Sequence, residues 1–382
     1  MNKIIDFRGK TPLKLGMKWG GNIPALSAMN VKDGIIKFNE DTHYGSIELY
    51  EKWMTKGDCT KGDIVLTMEA PMGNVAQIPN NQKYILSQRV ILLKFNEKLV
   101  SNEYMYQYLR SPYFKKQMNR YATGTTAKGI KQKNLIKIRL KIPSLLEQKF
   151  IGTFLSAIDK KIGFMEKIVE NFLSYHKYII QHLPLDPHNL IKKEGWQLLY
   201  LNEILFEHKL KSNGFEEVFS VSVEKGLINQ IEHLGRSFSA KNTDKYNLVK
   251  YGDIVYTKSP TGDFPLGIIK QSHVKNNVIV SPLYGIFTPK TFELGYILEN
   301  YFKYPVNCHN YLHSIVQKGA KNTMNITNKT FLSKQLYLPT NINEQKRIFN
   351  ILYSLNRKID LISDEIKEMR EFKKGLLQKM FC

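Results

Sequence analysis

Ile142-Pro143-Ser144-Leu145-Leu146-Glu147-Gln148-Lys149 opens a run whose inward positions fall at Ile151, Leu155, Ile158, Ile162, Met165, Val169, Phe172, His176, Ile179 and Leu183. The same message returns at an offset of 197 residues, with Leu338-Pro339, Glu344-Gln345-Lys346, and then Ile348, Leu352, Leu355, Ile359, Ile362, Ile366, Met369, Lys373, Leu376 and Met380. Steps of four and three alternate without a break, which is the 3.5-residue period of a coiled-coil seam. A helix of 33 residues at about 1.5 Å each is a rod of roughly 50 Å, and with one apolar stripe it makes a poor monomer. The two copies are therefore expected to pack on each other. Either direction is sterically open, and the duplication suggests a pseudo-two-fold axis and hence antiparallel pairing. His176 and Lys373 share one seam position, and near opposite ends of such a pair their polar groups would reach water.

The start of each helix has a local cause. Ser144 and Asn343 are candidate N-caps, and Glu147, three residues after Ser144, completes a capping box. The second copy carries one inserted residue, so its cap is built differently.

Working outward, the duplication continues in order through the rest of the chain. Asn30-Val31-Lys32-Asp33-Gly34-Ile35-Ile36 answers Ser222-Val223-Glu224-Lys225-Gly226-Leu227-Ile228. Lys61-Gly62-Asp63-Ile64-Val65-Leu66-Thr67 answers Tyr251-Gly252-Asp253-Ile254-Val255-Tyr256-Thr257, and Gly124 to Leu135 answers Gly319 to Phe331. Ordered matches of this kind mark a diverged domain repeat. Gly62-Asp63 before Ile64 to Thr67 reads as a turn feeding a strand, Val90 to Phe95 as another strand, and Glu103 to Arg120 as a helix. The expected fold is α+β: two mixed, β-rich domains, about Ile4 to Ile142 and Leu201 to Leu338, with two long helices forming an antiparallel coiled coil.

A length of 382 residues suits two or three domains. With 56 Lys plus Arg against 34 Asp plus Glu the formal charge is +22. Such an excess points to a polyanion, nucleic acid first and a membrane surface as the rival. Cys59, Cys308 and Cys382 are isolated, so neither a disulfide framework nor a zinc spacing runs through them, and a reducing cytoplasm is expected. No run reaches the roughly 18 apolar residues of a membrane span.

Motifs for chemistry are fragmentary. Arg8-Gly9-Lys10-Thr11 ends like a phosphate loop, but Ile4 stands where its first glycine belongs. Asp186-Pro187-His188 lacks an aromatic residue to stack on a flipped base and reads as a linker turn. Asp63 and Glu69 form a carboxylate pair suited to magnesium, yet Glu69 becomes Ser259 in the other copy. No metal site and no cofactor are expected. What remains is a pair of basic, amide-rich loops: Thr125, Thr126, Lys128, Lys131 and Lys133 in the first half, and Lys318, Lys321, Asn322 and Asn325 in the second. Gln88, Arg89 and Lys258 lie beside neighbouring repeat segments and join this set. Lysine and arginine suit phosphates, and glutamine and asparagine suit base edges.

Gly-Asp-Ile-Val-x-Thr in each half, then the Gly-rich loop, then Pro-x-x-x-Glu-Gln-Lys or its variant, then the long helix, together resemble the specificity subunit of Type I restriction-modification enzymes. The resemblance covers essentially the whole chain. It implies target recognition domains at 1–142 and 201–338, conserved spacer helices at 143–184 and 339–382, and a linker at 185–200. It further implies that each domain reads one half of a bipartite, interrupted sequence in double-stranded DNA, and that the chain scaffolds the enzyme without doing chemistry. The partners implied are two modification subunits carrying S-adenosylmethionine and, in the full complex, motor-nuclease restriction subunits using ATP and magnesium. A rod holding two readers would set the gap between half-sites, as symmetric DNA-binding dimers do. Two other readings stay open from the residues: a self-contained DNA-cleaving or DNA-modifying enzyme, and a coiled-coil scaffold without sequence-specific DNA binding. One departure stands out. Gly195 to Leu201 precedes the second domain and has no equivalent before Ile4, so either the N-terminus is shortened or the tail from Gly375 to Cys382 closes the first domain.

Overall fold

The structure is a computed structural model describing residues 3–125, 127–187, 193–231, 243–318 and 324–381, with 317, 318, 324 and 325 described by backbone alone. It divides into two compact units, Met1–Ile168 with Ile362–Cys382, and Val169–Leu361. Each unit holds one β-rich body and a portion of both long helices.

The first unit is built on strands β1 (Lys3–Asp6), β2 (Ile64–Thr67), β3 (Val75–Gln77) and β4 (Val90–Lys94), in the order β1-β4-β2-β3 and antiparallel throughout. Ile64, Val65, Leu66 and Thr67 are all fully buried, so this β-branched run is covered on both faces. Helices α1 (Asn102–Arg110) and α2 (Pro112–Arg120) follow. The single helix expected over Glu103 to Arg120 is thus two. Pro112 disfavours helical geometry at Ser111, which sits extended (φ −64°, ψ 149°) and caps α2 through its side chain. Then comes the first long helix, α3 (Leu145–His182).

The second unit repeats the plan. Strand β5 (Trp196–Tyr200) leads to β6 (Leu205–Glu207), β7 (Ile254–Tyr256), β8 (Ile269–Gln271) and β9 (Gly285–Pro289), where the sheet order β6-β9-β7-β8 copies the first. Registers match as well: Ile64 faces Leu93 and Gln77, and Ile254 faces Phe287 and Gln271. Helices α4 (Phe292–Phe302) and α5 (Pro305–Leu312), strand β10 (Gln335–Pro339) and the second long helix α6 (Ile342–Met380) complete it. The Val31–Lys32/Ile35–Ile36 hairpin likewise has its counterpart in Phe219–Ser222/Gly226–Asn229.

Within the first unit α3 and α6 run antiparallel, since Asp159 meets Lys373 while Glu166 meets Arg370. Leu155, Ile158, Ile162, Met165 and Ile366 are buried there. Ile151, Ile362 and Met369 of the first unit are half-buried; within the second, Ile348, Leu352, Leu355 and Ile359 are buried, and Val169 and Phe172 half-buried. The fold is therefore α+β with an antiparallel helix pair in each unit.

Two details differ from the sequence reading. Ser144 caps α3 through the Glu147 N–H, but α6 begins one residue before Asn343, and Asn341 caps it by accepting the Asn343 N–H at 2.8 Å. His176 and Lys373 do not reach water. They are 0% and 5% exposed, because α1 and α4 cover that seam position and supply polar partners. In the first unit Asp159 accepts from Lys373 Nζ (2.5 Å), Gln107 Nε2 (2.8 Å) and Arg110 Nη1 (3.0 Å). In the second, His176 Nε2 donates to Asn300 Oδ1 (2.8 Å) and Nδ1 accepts from Tyr304 (2.6 Å), while Asn356 donates to the same Asn300 oxygen (2.9 Å). Burial and the nearby Lys303 push the His176 pKa down to about 4, which fits a neutral ring.

The Glu-Gln-Lys motif also gains a meaning beyond a helix start. Buried Gln148 accepts the Ser101 N–H and donates to the carbonyls of Leu99 and Pro143. Gln345 donates to the Pro339 carbonyl and accepts from Thr291. Each glutamine ties the first turn of a long helix to its own domain.

Candidate nucleic-acid interface

The end of β2 and the start of β4 in the first unit lead into the loops singled out from sequence. The Met68 N–H bonds the Arg89 carbonyl at 2.8 Å, and the Met68 carbonyl accepts the Ile130 N–H at 2.9 Å. Glu69 then lies between two of the expected contact residues: its carboxylate pairs with Arg89 at 3.3 Å, and its backbone bridges Gly129 beside Lys128. Thr123 and Gly129 exchange both backbone hydrogen bonds, and the loop they close is tight. A Cβ at Gly124 (φ +97°) would stand 2.4 Å from the Ala127 carbonyl oxygen, so only glycine fits there.

Backbone strain gathers at this edge. Among the described residues the non-glycine positions with positive φ are Ala70 (+44°), Arg89 (+65°) and Lys258 (+55°). Ala70 and Arg89 flank the Glu69 pair, and Lys258 follows β7 at the place Met68 holds after β2. Left-handed geometry costs a side-chain-bearing residue roughly 1–2 kcal/mol, and such residues cluster at functional sites.

Arg89, Gln88, Thr125, Lys128, Lys131 and Lys133 are exposed, and Lys258 is half-buried. The structure brings Gln88, Arg89 and Lys128 to one edge. Lys131 and Lys133 flank the following short helix, Gln132–Leu135. Thr126, Lys321 and Asn322 lie outside the described residues, as do the side chains of Lys318 and Asn325, whose backbones form the antiparallel pair Gln317–Lys318/Met324–Asn325.

Each edge opens on a cleft that sequence reasoning missed. In the first unit Gln88 stands on a hollow of about 280 Å³ lined also by Lys10, Trp19, Ser27, Asn30 and His43, with the Trp19 and His43 rings stacked at 5.1 Å. Lys10, at the end of the fragmentary phosphate loop, donates to the backbone carbonyls of Lys52 and Trp53, and Arg8 pairs with Asp6. In the second unit Lys258 borders a hollow of about 230 Å³ with His208, Lys209, Lys211, Asn247 and Tyr284. Burial lowers the Lys258 pKa, with Glu207 opposing. His208 is held by Asp253 at 2.9 Å, and Asp253 in turn accepts from Thr288. No periodicity marks these side chains, because they come from separate loops and meet only through the sheet.

The arrangement is that of a duplicated α+β fold, with a cationic residue of left-handed backbone beside the central strands of each sheet, Arg89 before β4 and Lys258 after β7. Residues 3–171 match the family described as Type I restriction modification DNA specificity domain. The chain is 31% identical over 127 residues to the Type I restriction enzyme MjaVIII specificity subunit of Methanocaldococcus jannaschii, an overlap of 32% of this chain and 30% of that protein. It is 23% identical over 255 residues to the MjaIX specificity subunit of the same organism, covering 63% and 58% of the two chains. A crystal structure of a Type I restriction-modification S subunit from M. genitalium shares the fold at a TM-score of 0.61 and 16% identity, over 100% of this chain and 93% of that one. The chain is thus similar to Type I specificity subunits, and spans less than two thirds of the length of these curated relatives. No described helix is long and apolar enough to cross a membrane.

Proposed function

We propose that this chain is the DNA-reading subunit of a Type I restriction-modification system acting in the cytoplasm, and that each unit reads one part of a bipartite duplex target. The observation that supports this reading is that each sheet carries a strained cationic residue at the end of a central strand, Arg89 before β4 in the first and Lys258 after β7 in the second. The +22 charge supplies the long-range attraction, and the two hollows supply room for base edges or sugar contacts. Lys128, Lys131 and Lys133 serve phosphates, and Gln88 suits an adenine edge. The polar seams, Asp159 with Lys373 and His176 with Asn300, fix each reader on its helix pair. In this reading the chain does no chemistry. It scaffolds two modification subunits, which methylate, and in the full complex restriction subunits, which cleave.

Titration of the purified chain with duplex DNA over a range of salt concentrations tests the proposal. The logarithm of affinity should fall linearly with that of salt, at a slope of about −0.9 per neutralised phosphate. Absent or salt-independent binding would favour the scaffold reading. Cleavage or methylation of DNA by the chain alone, given magnesium or S-adenosylmethionine, would favour the enzyme reading.

A further inference from the structure

Two side chains that line the hollow of about 230 Å³ beside Lys258, His208 and Asn328, each keep one hydrogen-bond acceptor in reserve. His208 follows β6 and gives its Nε2 hydrogen to Asp253 at 2.9 Å, where Asp253 also accepts the Lys250 N–H and the Thr288 hydroxyl, each at 2.7 Å. A carboxylate has no hydrogen to return, so Nδ1 is the lone-pair end of a neutral imidazole. Asn328 donates through Nδ2 to Glu207 at 2.8 Å. Turning that amide over would set its oxygen against the Glu207 carboxylate, which fixes Oδ1 as the atom directed elsewhere. His208 Nδ1 and Asn328 Oδ1 are both buried, and neither meets a donor among the described residues. Buried acceptors are matched almost everywhere in folded proteins, so an unmatched pair around one hollow has to be explained.

The backbone makes room for this arrangement. A Cβ at Gly285, the first residue of β9, would stand 2.8 Å from Asn328 Oδ1 and would push the amide aside. The feature belongs to one reader only. Glu207 faces Phe287 where Ile4 faces Leu93, so the next residue, Ile5, holds the place of His208 in the first unit. Ile5 has no acceptor to offer, and Asp63 pairs there with Lys94 at 2.9 Å.

The chemistry of the two atoms selects the ligand. Lys209, Lys211 and Lys258 around the same hollow attract phosphates, but phosphate oxygens bring no hydrogen for an acceptor. In the major groove of duplex DNA the hydrogens on base edges belong to the N6 amino group of adenine and the N4 amino group of cytosine. Guanine and thymine present oxygen there and are repelled. The two-point grip of asparagine on adenine is closed to Asn328, because Glu207 already holds its Nδ2. A single bond from an amino group remains, which adenine and cytosine both supply.

We propose that His208 Nδ1 and Asn328 Oδ1 are specificity-determining acceptors for the exocyclic amino group of adenine or cytosine in the part of the target read by the second unit. The role of both atoms rests on the chain being a DNA reader.

The full chain is titrated with the duplex it selects from a randomised library, each adenine being replaced in turn by N6-methyladenine and each cytosine by N4-methylcytosine. Both changes keep the base pair and cover the hydrogen in the groove. Within the element that Lys258→Gly relaxes, at least one such position should lose affinity by about 5- to 150-fold, the range for one base contact. With Asn328→Ala or His208→Phe that loss should largely disappear, and selection should admit guanine or thymine at the same position. Should both variants fail to fold, the scan with the unaltered chain reads the same contact. Two bound elements with no sensitive position beside Lys258, or a loss that both variants leave unchanged, would overturn the assignment and leave DNA reading intact. No enriched element at all would overturn both.

Discussion

Asp159 on α3 bonds Lys373 on α6 at 2.5 Å, whereas Asn356 and His176, which hold the same two places in the other copy of the repeat, meet on the Oδ1 atom of Asn300. One locus has been solved twice, once with charges and once with neutral amides and imidazole. The covering helix follows suit: Gln107 and Arg110 on α1 correspond to Asn300 on α4 and Lys303 at its C-cap, and Lys303 reaches Asn356 at 3.4 Å. Buried polar groups of this kind fix register when every member is satisfied.

The charged version is unequal in its parts. Asp159→Ala would leave Lys373 and Arg110 facing each other, though Arg110 keeps Asp33 at 3.3 Å. Lys373→Met would leave Asp159 with Arg110. Urea unfolding should show a loss of about 2–4 kcal/mol for Asp159→Ala, given that Asp159 is partly exposed, and about 1 kcal/mol for Lys373→Met. Equal losses would mean that Lys373 is the main partner.

The neutral version sets a pH dependence. His176 has its pKa depressed to about 4 in the folded state by burial, against an ordinary value of 6.5. As pH falls the unfolded chain takes up the proton first, so the contribution present above about 6.5 is lost progressively down to about 4, by roughly 3 kcal/mol in all. His176→Gln should remove that part of the slope of stability against pH. An unchanged slope would assign it to the carboxylates.

Gln148 makes three hydrogen bonds that an apolar side chain cannot replace. Gln148→Leu should destabilise the chain by about 2–3 kcal/mol in thermal or urea unfolding. Gln345→Leu, with two such bonds, should cost less.

Strain and function separate at Arg89 and Lys258. Arg89→Gly and Lys258→Gly relieve the left-handed backbone, so each variant should unfold at the same or slightly higher urea concentration, by up to about 1 kcal/mol. Each should nonetheless bind DNA more weakly, by about 1–3 kcal/mol if the side chain reads a base, and with a salt slope about one unit shallower if it holds a phosphate. Undiminished binding would remove these residues from the interface.

The repeat made much of this legible. Two positions in every seven, with one offset throughout, specify helices, partner and direction, and the Gly-Asp turn before Ile64 and Ile254 specifies the central strands. The polar seam was not legible, because a histidine or lysine in a heptad looks like an end that reaches water until α1 or α4 is laid over it. The helix break at Ser111 lay in plain sight as a residue before proline. Trp19, His43, Lys209 and Lys211 carry no sequence signal, since separate loops deliver them to their hollows. Half of the second basic loop lies outside the described residues, so its candidates rest on sequence alone.

Selection of bound duplexes from a randomised DNA library by the full chain tests the central claim most directly. The account predicts two short sequence elements separated by a gap of constant length, with Arg89→Gly relaxing one element and Lys258→Gly the other. A single uninterrupted element, or no enrichment over the starting library, would contradict it.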